Sequence, residues 1–293
     1  MPDVIQIKNV IAKGIVSRIS EKAKETPPAP FAPIGIFDSG VGGLTVLQEI
    51  KKQMPHEDVI YVADTARVPY GGRTAKEIIN FNHQIISRLI KGKVKLIIMA
   101  CGTSSAIAYP IMSKKYKVGI VGLIGPGSRA AANATRNGKI GLIATVGTVN
   151  SGAYQKRIKE IKQELEIFAE ATPLFVPLIE GGLIDKEETK KVAREYLRPL
   201  LDKGIDTLIL GCTHYPHLKK VIGEIAGPDV VLVDPAENTV KEAGQILQNK
   251  MLVNNSVHNV EYAIQVTGSA PPFLDLASKL WGKPLSNVKE IKL

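Results

Sequence analysis

The sequence predicts an α/β fold with mainly parallel sheets, and three observations carry that prediction. Apolar runs such as Leu96-Ile-Ile-Met99 and Thr207-Leu-Ile-Leu210 do not alternate with polar residues, the pattern of strands buried on both faces. Stretches of helical length and mixed polarity separate these runs. The chemically unusual residues stand directly after the runs, where open parallel sheets place their ligands.

Taken in order, the first 32 residues stand apart. Ile5, Ile7, Val10, Ile11, Ile15 and Ile19 in a lysine-rich stretch precede Glu25-Thr-Pro-Pro-Ala-Pro-Phe-Ala-Pro33. The prolines read as a linker, and the stretch before them as a short amphipathic helix or an unordered leader. After Pro33, strands are expected at 34–37, 59–62, 96–100, 119–123, 140–144, 174–176, 207–210 and 230–233. Helices are expected at 44–54, 75–90, 153–165 and 186–201.

The chain has 293 residues and 44% hydrophobic content, with a mean hydropathy of +0.05. That is enough for one large core or two medium domains. No apolar run approaches the roughly 20 residues that span a bilayer, and no secretory signal pattern opens the chain. The expected location is therefore the cytoplasm, with no membrane partner. A net charge of +10 comes from dispersed lysines and arginines, as in Lys51-Lys52 and Lys156 to Lys162. Such runs are solvated faces, and no nucleic-acid motif accompanies them, so specific nucleic-acid binding is not expected.

Only two cysteines occur, which excludes a disulfide framework but not a single bridge. Cys101 follows Lys95-Leu-Ile-Ile-Met-Ala100, and Cys212 follows Thr207-Leu-Ile-Leu-Gly211. Each stands at an expected strand end with a hydroxyl close behind, Thr103 and Thr213. Two similar halves would set the thiols opposite each other across a cleft. A buried structural cysteine explains one such placement, but not both. Zinc would find at most Cys101, Cys212 and His214; a Cys/His nucleophile would leave one cysteine unexplained; a redox pair would show Cys-x-x-Cys. Proton transfer at carbon uses both thiols. Inversion of a stereocentre needs one group to remove a proton from one face and another to return it to the opposite face. A thiol, with an ordinary pKa near ~8.5, serves as acid or base around neutrality.

His214, near Cys212, and Asp38, at the end of the first run, are candidate partners, although an aspartate there also reads as a turn or cap residue. The glycines of Gly40-Val-Gly-Gly43 would let amides at a helix start face a carboxylate. Thr145 and Thr148 offer hydroxyls, or cap the helix that follows. No dinucleotide or P-loop glycine pattern is present.

These residues resemble the aspartate/glutamate racemase family, and its glutamate-specific members most closely. The matching segments are Ile34-Gly-Ile-Phe-Asp-Ser-Gly-Val-Gly-Gly-Leu-Thr45, Tyr61-Val-Ala-Asp-Thr-Ala-Arg-Val-Pro-Tyr-Gly71, Ala100-Cys-Gly-Thr103, Thr145-Val-Gly-Thr-Val-Asn-Ser-Gly152, Phe175-Val-Pro-Leu-Ile-Glu180 and Leu210-Gly-Cys-Thr-His-Tyr-Pro216. The resemblance implies two pseudo-symmetric α/β subdomains with the site between them: 33–121 plus 241–293, and 122–240, after an N-terminal extension at 1–32. It implies racemisation of glutamate without pyridoxal phosphate or metal, in a homodimer that supplies D-glutamate for peptidoglycan and so for cell shape. Cys101 assisted by Asp38 would act on the face exposed in D-glutamate. Cys212 assisted by His214, with Glu180 contributing, would act on the L face. Ser39, Pro69, Tyr70, Gly71, Gly102, Thr103, Thr145, Thr148 and Thr213 match substrate-binding positions.

Two positions depart from the family. Gly102 stands where Asn is usual, and Gly125 where Glu is usual. Loss of the Asn amide implies a missing substrate hydrogen bond, worth roughly 0.5 to 1.5 kcal/mol. Another amino acid such as aspartate is therefore an alternative substrate, and a non-catalytic homologue acting on DNA gyrase is an alternative of a different class. Some relatives with extensions respond to a cell-wall precursor or bind gyrase, but the leader carries no motif assignable to either.

Overall fold

Strands buried on both faces need helices above and below them, and this requirement organises the chain. The computed structural model describes residues 28–282, 284–285 and 288–293; the expected leader helix lies outside the described residues. Strand β1 (Ile34–Asp38) leads through helix α1 (Leu44–Gln53) to β2 (Val59–Ala63), then through α2 (Ala75–Lys91) to β3 (Leu96–Met99). The short helices α3 (Gly102–Ile107) and α4 (Tyr109–Lys115) precede β4 (Gly119–Gly122). Helix α5 (Ile124–Ala134) carries the chain across to β5 (Lys139–Ala144), α6 (Val146–Asn150), α7 (Ala153–Ile161) and β6 (Glu166–Ala171). Next come α8 (Phe175–Glu180), α9 (Glu187–Leu201), β7 (Thr207–Leu210), α10 (Lys219–Ala226) and β8 (Val231–Val233). Helix α11 (Pro235–Asn249) returns to β9 (Tyr262–Val266), α12 (Ala270–Trp281) and β10 (Val288–Glu290).

The described strands form two parallel sheets, ordered β10-β9-β2-β1-β3-β4 and β6-β5-β7-β8. In the larger sheet the winding reverses between β1 and β3, and in the smaller one between β5 and β7. The first four strands thus follow the order 2-1-3-4, and the next four repeat it as 6-5-7-8. Ligand crevices open at such reversals, and both cysteines follow a strand that borders one.

Burial follows from this winding. Ile34, Ile36, Leu47 and Ile50 pack with Val240 and Leu247 of α11 on one face of the larger sheet, while Phe37, Ile85, Ile86 and Leu89 pack on the other. A capping box starts α2: the Thr74 side chain accepts from the Glu77 amide, and Glu77 reaches back to the Thr74 amide. Helix α11 packs on both α1 and α5 and so joins the two halves. Among the described residues, no helix is long and apolar enough to cross a membrane.

The strand expected at 174–176 is a correction, because those residues begin α8. Phe175 and Ile179, four apart, are buried, whereas Leu174 is 49% exposed, which is a helical period. Pro177 falls in the first turn, where its missing N–H loses no intrahelical bond. The strand of this region is β6, whose residues are at most half-buried at the sheet edge. Its glutamates and incomplete burial disguise it.

At the amino ends of the strands, Lys95 forms a buried ion pair with Glu57, Nζ to Oε2 2.5 Å, with the two side chains 0% and 2% exposed. The same ammonium donates to the carbonyls of Leu252, at 2.8 Å, and Pro30. Glu57 Oε1 accepts the Asn254 amide at 2.9 Å. Removing one partner of such a pair strands a buried charge. Lys95→Met is expected to cost about 3 to 5 kcal/mol in urea unfolding, with part of the loss recovered when Glu57→Gln is added. Equal stability of Lys95→Met and the parent chain would show that the pair holds nothing together.

Candidate active site

The site is assembled from turns at the carboxyl ends of both sheets. Asp38 closes β1 and is 1% exposed. Its Oδ1 accepts the Gly40 amide at 2.7 Å, and its Oδ2 accepts the Thr213 hydroxyl at 3.3 Å from the other half. The amide of Gly40, expected to face a ligand, therefore serves the chain's own carboxylate. The Thr45 hydroxyl is shared between the carbonyls of Gly42, at 2.9 Å, and Thr213, at 3.1 Å. A Cβ at Gly42 would lie 2.5 Å from both Thr213 Oγ1 and His214 Nδ1, so only glycine fits there.

Cys101 precedes α3, and its main-chain carbonyl accepts the Ser105 amide at 2.8 Å. Its thiol donates to Ser39 Oγ at 3.8 Å. In the other half Cys212 Sγ lies 3.8 Å from His214 Nδ1, and His214 Nε2 lies 3.0 Å from Glu180 Oε1 at the end of α8. Both cysteines are free and buried, Cys101 at 5% and Cys212 at 8% exposure.

Hydroxyls span the two halves. Thr103 Oγ1 lies 3.1 Å from Thr145 Oγ1, which lies 3.0 Å from Thr148 Oγ1. Thr145 also caps α6 by accepting the Thr148 amide at 3.4 Å, as its capping reading expects. Pro69 and Gly71 flank the short turn at Tyr70, and a Cβ at Gly147 would lie 3.1 Å from the Gly71 carbonyl. The Tyr70 ring is buried and its hydroxyl donates to Asp64, leaving the main chain of this turn toward Gly147. Gly102 lies against the Gly211 carbonyl. The fold places the candidate residues on these turns, in the first turns of α3 and α6, and at the end of α8.

The two thiols sit in opposite electrostatic surroundings. Burial pushes the Cys101 thiol up to about 12; the nearby Asp38 charge adds to the rise, and hydrogen bonding with Ser104 and Ser39 only partly offsets it. Burial also raises Asp38 above the ordinary carboxylate range, against the pull of His214 and the Gly40 and Gly43 amides. For His214, burial works against the charged ring, but hydrogen bonds to Cys212 and Glu180 and the charge of Asp38 prevail and lift it to about 10. One sulfur stands beside carboxylate and hydroxyl groups, the other beside an imidazole that holds its proton more tightly than usual.

A family described as Asp/Glu/Hydantoin racemase matches residues 34–243. The chain belongs to this racemase family. It is 44% identical to a glutamate racemase from Geobacter metallireducens over 264 residues, covering 90% of this chain and 98% of that one. Solved structures agree with the fold. A glutamate racemase from Bacillus anthracis superposes with a TM-score of 0.86 at 37% identity, covering 89% of this chain and 98% of that one. A Thermus thermophilus glutamate racemase, solved with β-chloro-D-alanine, gives a TM-score of 0.83 at 42% identity, covering 90% and 98%.

Within this racemase scaffold several supporting residues escaped the sequence reading. Asp64 Oδ1 accepts the Thr267 hydroxyl at 2.7 Å and Arg67 Nε at 3.0 Å, so the turn carrying Tyr70 is tied to the segment after β9. Tyr61 donates to the Gly40 carbonyl at 2.8 Å. Asp64 did carry a signal, since it follows an apolar run just as Asp38 does. Thr45 and Thr267 carried none.

His214 generates a pH prediction. Its folded pKa lies above the ordinary 6.5, so the folded state holds the proton more tightly. The resulting stability is complete below about pH 6.5 and is lost as pH rises toward about 10. The Tm advantage of the parent chain over His214→Gln should therefore shrink steadily between about pH 6 and about pH 10. A constant difference across that range would contradict a charged His214.

Proposed function

We propose that this protein interconverts L- and D-glutamate without a cofactor, using Cys101 and Cys212 as acid and base on opposite faces of Cα. The observation that carries the reading is the placement of the two thiols. Each follows the strand at the winding reversal of its own sheet, and each has its own proton partner.

In the L to D direction, Cys212 acts as the thiolate, its own proton resting on His214, and takes the α-proton. The C–H bond breaks, an S–H bond forms, and the electron pair remains on Cα, spread into the carboxylate. Protonated His214 adjoins that sulfur, and Glu180 orients the imidazole from its far side. Cys101, held as a thiol by burial, delivers its proton to the opposite face, with Asp38 and Ser39 beside it. The D to L direction runs the same steps in reverse. Hydroxyls of Ser39, Thr103, Thr145, Thr148 and Thr213, with the main chain of Pro69 to Gly71 and of Gly102, hold the charged groups of the substrate. The two bodies, 33–121 plus 241–293 and 122–240, close over it. Closure removes water, which strengthens every charge interaction inside.

The names of the relatives support glutamate as the substrate. The same reading carries with it a homodimer, a cytoplasmic location, and a product used to build peptidoglycan and maintain cell shape.

The test is solvent deuterium incorporation at Cα, followed by NMR, with the enantiomers of glutamate and of aspartate supplied separately. Exchange with inversion of glutamate is expected. Cys101→Ser and Cys212→Ser should each lower the racemisation rate by about 10²- to 10⁴-fold. Full activity in both variants would end the two-thiol mechanism, and inversion of aspartate alone would reassign the substrate.

A further inference from the structure

We propose that Gly102 is a spacing residue. Its missing side chain lets the main chains of the two halves touch, and that contact sets the gap across which the thiols work. The inference rests on the racemase reading for its consequence, but on geometry for its content.

Gly102 adjoins Cys101, and Gly211 adjoins Cys212. A Cβ at position 102 would lie 2.7 Å from the Gly211 carbonyl oxygen, closer than a carbon and an oxygen can rest. Both walls are held by local contacts. A Cβ on Gly211 would lie 2.7 Å from Leu142 Cδ1, 2.8 Å from the Ile143 carbonyl and 2.9 Å from Ala144 Cβ, so β7 is already pressed against β5. The Gly211 amide is fixed to the Ile143 carbonyl at 2.8 Å.

On the other wall, α3 is pinned behind Gly102. Ser105 donates to the Met99 carbonyl at 2.8 Å and accepts the Leu123 amide at 3.1 Å, and Ser104 accepts from the buried Asn82 at 3.1 Å. A side chain at 102 is thus accommodated only by moving one half away from the other. The space vacated by the family's usual Asn is not left open. The Gly211 carbonyl lies against it, so Gly102 is a matter of fit rather than only a lost donor.

Displacing one half moves Cys212 relative to Cys101 while leaving each thiol with its own partners. Proton removal then survives better than delivery to the opposite face, because delivery alone depends on the distance between halves. A purely structural defect would lower both together.

The experiment compares the parent chain with Gly102→Ala, Gly102→Asn and the control Gly223→Ala on α10, whose added methyl would come no closer than 3.7 Å to Leu232 Cδ1 on β8. Inversion of L-glutamate should fall about 10²-fold in both position-102 variants, Cα deuterium exchange should fall much less, and the ratio of exchange to inversion should rise. Independently of turnover, alkylation of Cys101 and Cys212 by iodoacetamide, followed by mass, should speed up by about tenfold or more as the cleft opens. Gly223→Ala should match the parent in every readout. Unchanged alkylation in both position-102 variants, or faster inversion in Gly102→Asn, would overturn the inference. A parent chain inactive on glutamate would instead overturn the substrate reading, and the alkylation comparison would still decide the role of Gly102.

Discussion

Asp38 is a carboxylate buried in the protein interior whose two oxygens are held from different halves: Gly40 supplies one donor and Thr213 the other. A buried carboxylate stripped of donors is costly, on the order of several kcal/mol. Separation of the halves therefore requires water to take the place of the Thr213 hydroxyl. A hydrogen bond to a charged group contributes about 1.5 to 3 kcal/mol. Thr45, shared between carbonyls of both halves, reinforces the same seam. The seam between the halves is thus held by polar contacts whose strength depends on whether water is present.

The glycines of the seam are the steric counterpart of that electrostatic bond. Gly42 admits Thr213 and His214, Gly102 admits the Gly211 carbonyl, and Gly147 admits the Tyr70 turn. Backbone packed on backbone leaves few degrees of freedom at the interface, so the reacting groups need little reorganisation once the halves meet. The buried pair of Lys95 and Glu57 performs the complementary task at the other end of the larger sheet. It ties the amino ends of the strands together.

Much of this was legible in the sequence. β1, β3, β5 and β7 declare themselves because strands buried on both faces leave long apolar runs, and Asp38, Cys101 and Cys212 stand out because they interrupt those runs. β6 was illegible because a half-exposed edge strand tolerates glutamate, and β9 and β10 lie at one edge of the larger sheet, where burial is also incomplete. Residues 174–176 misled because three apolar residues fit either period until Ile179 is counted. In the site, residues acting through nearby chain were visible, as with His214 beside Cys212. Thr45 and Thr267 were not, since their partners lie 168 and 203 positions away and only the folded chain brings them together.

The repeated winding of the two sheets has a consequence for how such a site can arise. Two identical half-molecules meeting about a true twofold axis would present the same residues on both walls, and any mutation would appear twice. Two like halves in one chain carry no such obligation. One wall sets an aspartate and a serine beside its sulfur, and the other a histidine and a glutamate. A substrate with a single stereocentre has two faces that are not equivalent, and a scaffold of covalently linked, divergent twins can meet each on its own terms.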